Sequence, residues 1–106
     1  MLNKITVQGR LTRDPELRTT QNGKNVVNFS IACERDREVK GERPTDFIDC
    51  VGWGSTADFI NNYFHKGMMA FVAGRLQIRT WEDTSGIKRL SPEVVVESIY
   101  FGEKKV

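Results

Sequence analysis

The chain has 106 residues, enough for one domain with a genuine core that needs neither disulfides nor metals, and too few for a second, catalytic domain. Sixteen basic and fourteen acidic residues are interspersed and leave a net charge of +2, an excess too small to declare a polyanionic partner, so local arrangement must carry that argument. No apolar run reaches signal-peptide or membrane-spanning length, and Cys33 and Cys50 lie far apart with no second Cys or His at metal-ligand spacing, so the chain reads as a cytoplasmic protein with two buried free thiols.

In chain order, Ile5, Val7, Gly9 and Leu11 alternate with Thr6, Gln8 and Arg10, which predicts a first strand from Asn3 to Leu11, broken by Asp14-Pro15. A polar stretch with the turn signal Asn22-Gly23 leads to a second, half-buried strand in which Val27, Phe29, Ile31 and Cys33 share a face. Arg35 to Thr45 is charged, contains Gly41 and Pro44, lacks an apolar period, and reads as a mobile loop suited to ordering by a ligand. Phe47 to Trp53 returns to strand character, with Phe47, Asp49, Val51 and Trp53 on one face.

A helix follows, capped by Ser55 with Asp58 at its N3 position and closed by Lys66 and Gly67; Phe59, Ile60, Tyr63 and Phe64 form its core-facing stripe. Met68 to Trp81 is the fourth strand. After a turn near Ser85-Gly86, Ile87 to Phe101 is the fifth, with Pro92 marking a bulge or an edge. Three strands, a helix and two strands have no parallel crossover rhythm. They fit an all-β fold with one helix, a five-stranded antiparallel OB-fold barrel formed by a single domain over residues 1–106.

Most chemical motifs fail on inspection. Gly52-Trp53-Gly54-Ser55-Thr56-Ala57 formally matches a dinucleotide-binding fingerprint. The acidic residue required about 20 positions onward is absent, however, and the preceding strands read as antiparallel. Gly23-Lys24 lacks the flanking residues of a phosphate-binding loop. The one histidine, His65, falls in the last helical turn beside Lys66, where favouring the helix C-terminus is sufficient reason for it. Asp14, Glu16, Asp46 and Asp49 show no metal-ligand grouping, and no nucleophile and base can be paired. No catalytic residue, metal or cofactor is expected.

The fourth strand carries the positive signal. Read at period two, Arg75, Gln77, Arg79 and Trp81 face one way and Leu76, Ile78 and Thr80 the other, one face for a core and one for a polyanion with flat bases. Cations track phosphates and an indole can stack on any nucleobase, which points to single-stranded nucleic acid. An ordinary solvated sheet face would show the same alternation.

Asn3-Lys4 leading into Val7-Gln8-Gly9-Arg10-Leu11, then Asp14-Pro15-Glu16-Leu17-Arg18 and Asn22-Gly23, resembles the opening of bacterial single-stranded DNA-binding proteins. Trp53-Gly54, Tyr63 with Lys66-Gly67, Gly74-Arg75-Leu76, Arg79-Thr80-Trp81, Ser85-Gly86 and Glu93-Val94-Val95-Val96 continue the resemblance in order over residues 3 to 101. It implies an OB-fold assembled as a homotetramer, a dimer of dimers, that wraps single-stranded DNA without sequence specificity in replication, recombination and repair. By position it assigns base stacking to Phe47, Trp53 and Trp81 and phosphate contacts to Arg18, Lys66, Arg79 and Arg89, followed by Lys4, Arg10 and Arg75.

Two departures qualify it. Many family members have a further stacking aromatic where this chain has Arg37, whose guanidinium could stack or meet phosphate instead. The chain also stops at Glu103-Lys104-Lys105-Val106, without the flexible linker and acidic tip through which relatives recruit replication and repair enzymes. It is either the core of a longer protein or a naturally short form of the kind a phage or mobile element encodes. A primosome-type adaptor working mainly through protein contacts is the alternative reading, and a small nuclease or phosphotransferase would need carboxylate clusters or a phosphate loop that the sequence lacks.

Overall fold

A computed structural model describes residues 1–102; Glu103 to Val106, on which the reading of a missing linker and acidic tip rests, lie outside the described residues. Apolar alternation becomes a ring of strands. The elements are β1 (Ile5–Leu11), β2 (Glu16–Thr19), β3 (Asn25–Glu34), β4 (Thr45–Trp53), α1 (Ser55–Tyr63), β5 (Met69–Glu82) and β6 (Lys88–Phe101). The sheet runs β1-β5-β6-β4-β3, and a further β1–β3 pairing at Arg10–Ala32 and Leu11–Ile31 closes it into the five-stranded barrel of an OB-fold. All the ring contacts are antiparallel except β4–β6, a parallel seam of two residue pairs, Cys50–Val94 and Val51–Val95.

The inward set is the alternating one: Leu11 from β1, Val27, Phe29 and Ile31 from β3, Cys50 from β4, Ala70 and Val72 from β5, and Val94 and Val96 from β6. Helix α1 plugs one end with Ala57 and Ile60, joined by Phe64 just past its last residue, all fully buried. Burying a side chain such as Phe29, Ile60 or Phe64 contributes about 1.5–3 kcal/mol each. Phe101 lies flat on Phe64 with ring centroids 4.7 Å apart and closes that end. Burial pushes the Cys50 thiol up to about 12, with the nearby Asp49 and Glu93 carboxylates adding to the shift, so it stays protonated and unreactive.

Several local expectations are corrected. The helix stripe is narrower than its sequence suggests, because a nine-residue plug meets the core only along Ala57 and Ile60, with Phe64 following as its C-cap, leaving Phe59 and Tyr63 on the exposed side. Gly54, not Ser55, is the N-cap. Its φ of 61° with ψ of −129° belongs to a region open chiefly to glycine, and no side chain caps the helix. The Asp58 carboxylate instead accepts the Asn25 side-chain amide at 2.7 Å. The helix ends at Tyr63, so His65 and Lys66 sit beyond its last turn.

The polar stretch after Asp14-Pro15 forms β2, paired antiparallel with β3 from Glu16–Asn28 to Thr19–Asn25. It carries no alternation because all four of its residues are exposed. Within the charged Arg35–Thr45 connection, a bridge joins Val39 to Glu42, and Asp46 accepts two hydrogen bonds from the Arg35 guanidinium at 2.9 and 3.1 Å.

The largest correction concerns the apolar face of β5. Leu76 and Ile78 are exposed, with Leu90 and Pro92 opposite Thr80 and Ile78 on β6. Strand β1 pairs no further along β5 than Gly74, and β4 reaches β6 only at Val94 and Val95, so the rest of the β5–β6 hairpin is a free arm with no opposing layer. Pro92 lies on the open edge of this arm. The bulge is at Gly74: Ala73 faces Ser98 but Gly74 faces Val96, leaving Glu97 as the extra residue. A Cβ at position 74 would run into the Val95 carbonyl oxygen. The arm raises the radius of gyration to 15.1 Å, against ~13 Å for a compact domain of this size.

Candidate nucleic-acid interface

Residues directly opposite on paired strands share a sheet face, and successive residues alternate between faces. On β4, Phe47, Asp49, Val51 and Trp53 point away from the core, opposite Ala32, Ser30, Asn28 and Val26 of β3. Val51 passes this face to β6 through Val95, and Val95, Glu93, Ser91 and Arg89 pass it to β5 through Arg75, Gln77, Arg79 and Trp81. On the other flank Val26 pairs with Arg18 of β2. Phe47, Trp53 and Trp81 therefore lie on one continuous outward face with Arg18, Arg75, Arg79 and Arg89. Their exposures of 70, 47 and 42 % leave all three rings available to a ligand.

The supports of these side chains differ. Trp53 stands directly opposite the buried Val26 on the barrel wall. Trp81 lies out on the arm and donates its indole Nε1–H to Ser91 Oγ at 2.8 Å. Arg18 and Arg79 make no hydrogen bond or ion pair among the described residues. Arg75 donates to Gln77 Oε1 at 3.1 Å, and Gln77 in turn donates to Glu93 Oε1 at 3.1 Å. Arg89 is held by Asp83, with its Nε 3.0 Å from Oδ2. Asp83 Oδ1 also accepts the backbone N–H groups of Ser85 and Ile87 at 2.9 and 3.0 Å. The Ile87 amide, chiefly, holds the Asp83 carboxyl below its ordinary range against the opposing effect of burial, with the Arg89 guanidinium and the Ser85 amide adding to the lowering.

The remaining cations lie at the margins. Arg10 shares the row of Ala32 and Phe47 and donates to the Gly67 carbonyl at 2.9 Å, which places it beside Lys66 in the connection after the helix. Lys66 is anchored there by its own N–H, donated to Asp14 Oδ1 at 2.8 Å. Lys4 precedes β1 and spends its ammonium on Glu97, the bulge residue, at 3.3 Å. It is not gathered with the aromatics.

The face is not uniformly basic. The Cys50–Val94 register sets Asp49 beside Glu93 in its middle, so cations flank an acidic centre. Sequence reasoning put Asp49 on the face of Phe47 and Trp53 but did not bring Glu93 beside it, and it gave no role to Ser91 or Asp83. Counting back from Trp81 through the Ser85-Gly86 turn would have paired Arg89 with it and brought Ser91 within diagonal reach. The seam needed knowledge that β4 and β6 meet. A second exposed aromatic pair, Phe71 and Tyr100, occupies a different part of the surface with Gln8, on β1, β5 and β6. No group of three or more possible metal ligands occurs among the described residues, and no described helix is long and apolar enough to cross a membrane.

Relatives share nearly the whole chain. It is 45 % identical to a single-stranded DNA-binding protein of Halalkalibacterium halodurans, the match covering 99 % of this chain and 63 % of the relative. It is 46 % identical to single-stranded DNA-binding protein 1 of Staphylococcus aureus strain COL, covering 99 % and 64 %. To single-stranded DNA-binding protein 1 of S. aureus strain MSSA476 it is 47 % identical, covering 99 % and 68 %. It thus spans less than two thirds of the length of the first two. The model of the single-strand binding protein family matches residues 2–102, the same span that folds into the barrel and its arm, and the chain belongs to that family.

Proposed function

We propose that this chain binds single-stranded DNA without reading its sequence and without chemical turnover, protecting the strand in replication, recombination and repair. The observation that carries this reading is one continuous sheet face holding Phe47, Trp53 and Trp81 among Arg18, Arg75, Arg79 and Arg89. The names of the relatives support it. Bases stack by their faces on exposed rings while arginines neutralise phosphates and release counterions, so pairing edges go unread. Stacked duplex DNA offers no free base faces and should bind far more weakly. Lys66 and Arg10 extend the cationic track at one end of the barrel; Lys4, tied to Glu97, contributes least. Residues 1–106 act as a single binding domain, assembled as a homotetramer in the cytoplasm.

Titrating the intrinsic tryptophans with oligo-dT of increasing length at two salt concentrations tests stacking, site size and counterion release together. Strong quenching, a length threshold and weaker binding at high salt are expected. Absence of quenching together with salt-independent binding would sink the reading. A mass measurement in solution checks the tetramer, and a dimer that binds oligo-dT weakly would favour an adaptor instead.

A further inference from the structure

The indole of Trp81 occupies an unusual place for a large ring. It sits on a two-stranded arm with no opposing layer, so no second sheet or helix packs down on it to select one rotamer, and the outer torsion of an aromatic side chain is soft. Its one polar handle is the Nε1–H, a donor only. That hydrogen goes to Ser91 Oγ at 2.8 Å. Trp81 is directly opposite Arg89, whereas Ser91 is opposite Arg79, so the hydrogen bond runs diagonally along the arm toward the barrel. Ser91 is a stable anchor: it precedes Pro92, which confines its backbone to the extended region and fixes the direction of its Cβ.

We propose that Ser91 is the positioning residue of the Trp81 platform, pinning the indole by its edge beside Arg79 so that the ring face is presented before a base arrives. This rests on the stacking role proposed for Trp81. The hydroxyl touches the edge of the ring and leaves its face free. The benefit is preorganisation: ordering a side chain in advance removes a cost that binding would otherwise bear.

The test is a set of variants of the full chain, read by oligo-dT affinity and by the indole N–H resonance of Trp81 in the free protein. Ser91→Ala should weaken binding about two- to tenfold, the range expected for one immobilised side chain. Ser91→Thr, which keeps the acceptor, should restore it. In Trp81→Phe, where no N–H exists to be held, adding Ser91→Ala should change nothing further. The indole N–H should exchange faster with solvent in Ser91→Ala than in the parent. If Trp81→Ala binds as tightly as the parent, the stacking role fails and the positioning role with it. If Trp81→Ala weakens binding but Ser91→Ala does not, stacking stands and the positioning role is overturned. A Ser91→Ala loss that persists in the Trp81→Phe background would also overturn it, because Ser91 would then be acting on DNA or on the arm directly.

Discussion

Trp53 and Trp81 present comparable ring area but differ in their footing, one beside buried Val26 on the barrel wall and the other on the arm. Each should count separately. Trp53→Ala or Trp81→Ala is expected to cost about 1–3 kcal/mol for the base that stacks there, measured by oligo-dT titration; affinity equal to the parent's in both variants would remove the stacking model. The arginines are proposed to act through charge. Arg79, with no ion-pair partner among the described residues, has its guanidinium free for a phosphate, and Arg79→Ala should lower the slope of log affinity against log salt by about 0.7 per lost single-strand phosphate contact. A slope equal to the parent's would count against that contact.

At the scale of elements, the β5–β6 hairpin matters most, and Gly74 is the point at which it leaves the barrel. Gly74→Ala places a methyl group against the Val95 carbonyl, and forcing atoms into packed space costs about 1–3 kcal/mol. A lowered denaturant midpoint is therefore expected, and an unchanged one would mean the bulge tolerates a side chain. This hairpin also shows how far sequence reaches. Period-two patterning located every ring strand and correctly joined Arg79 to Trp81 and Phe47 to Trp53. The same patterning assigned Leu76 and Ile78 to a core that ends before it reaches them, because alternation fixes which way a side chain points and says nothing of whether another layer lies opposite. Strand β2 was invisible for the converse reason: an edge strand exposed on both faces needs no alternation. Helix capping went to Gly54 because a backbone conformation, rather than a side-chain oxygen, made the turn.

At the scale of the molecule, the barrel and the arm rest on different forces. The barrel holds its strands around buried Phe29, Phe64 and Ile60, whereas the arm tip depends on Asp83, which gathers two backbone amides and Arg89. Because the folded Asp83 carboxyl lies below its ordinary 3.8, its contribution is present above that value and is lost as pH falls through the lowered one. Asp46, held low by Arg35, follows the same sign. Acid is therefore expected to loosen the arm while the core persists. Tryptophan emission in Trp53→Phe, which isolates Trp81, should change at a higher pH than the far-ultraviolet circular dichroism, and coincident transitions would show that arm and barrel fail together.

The arm also leaves backbone unpaired. Beyond the Asn3 side chain, which hydrogen-bonds both the N–H and the carbonyl of Leu76, neither margin of the arm has a neighbouring strand among the described residues. Such margins invite a foreign strand to add on, the route by which sheets aggregate, and protein surfaces discourage it with charge, proline and bulges. This arm carries all three: Arg75, Arg79, Lys88 and Arg89 along its length, Pro92 on its open edge and the Gly74 bulge at its root. The positive charge proposed to meet phosphates is thus also of the kind that discourages a second molecule's strand from adding to the arm.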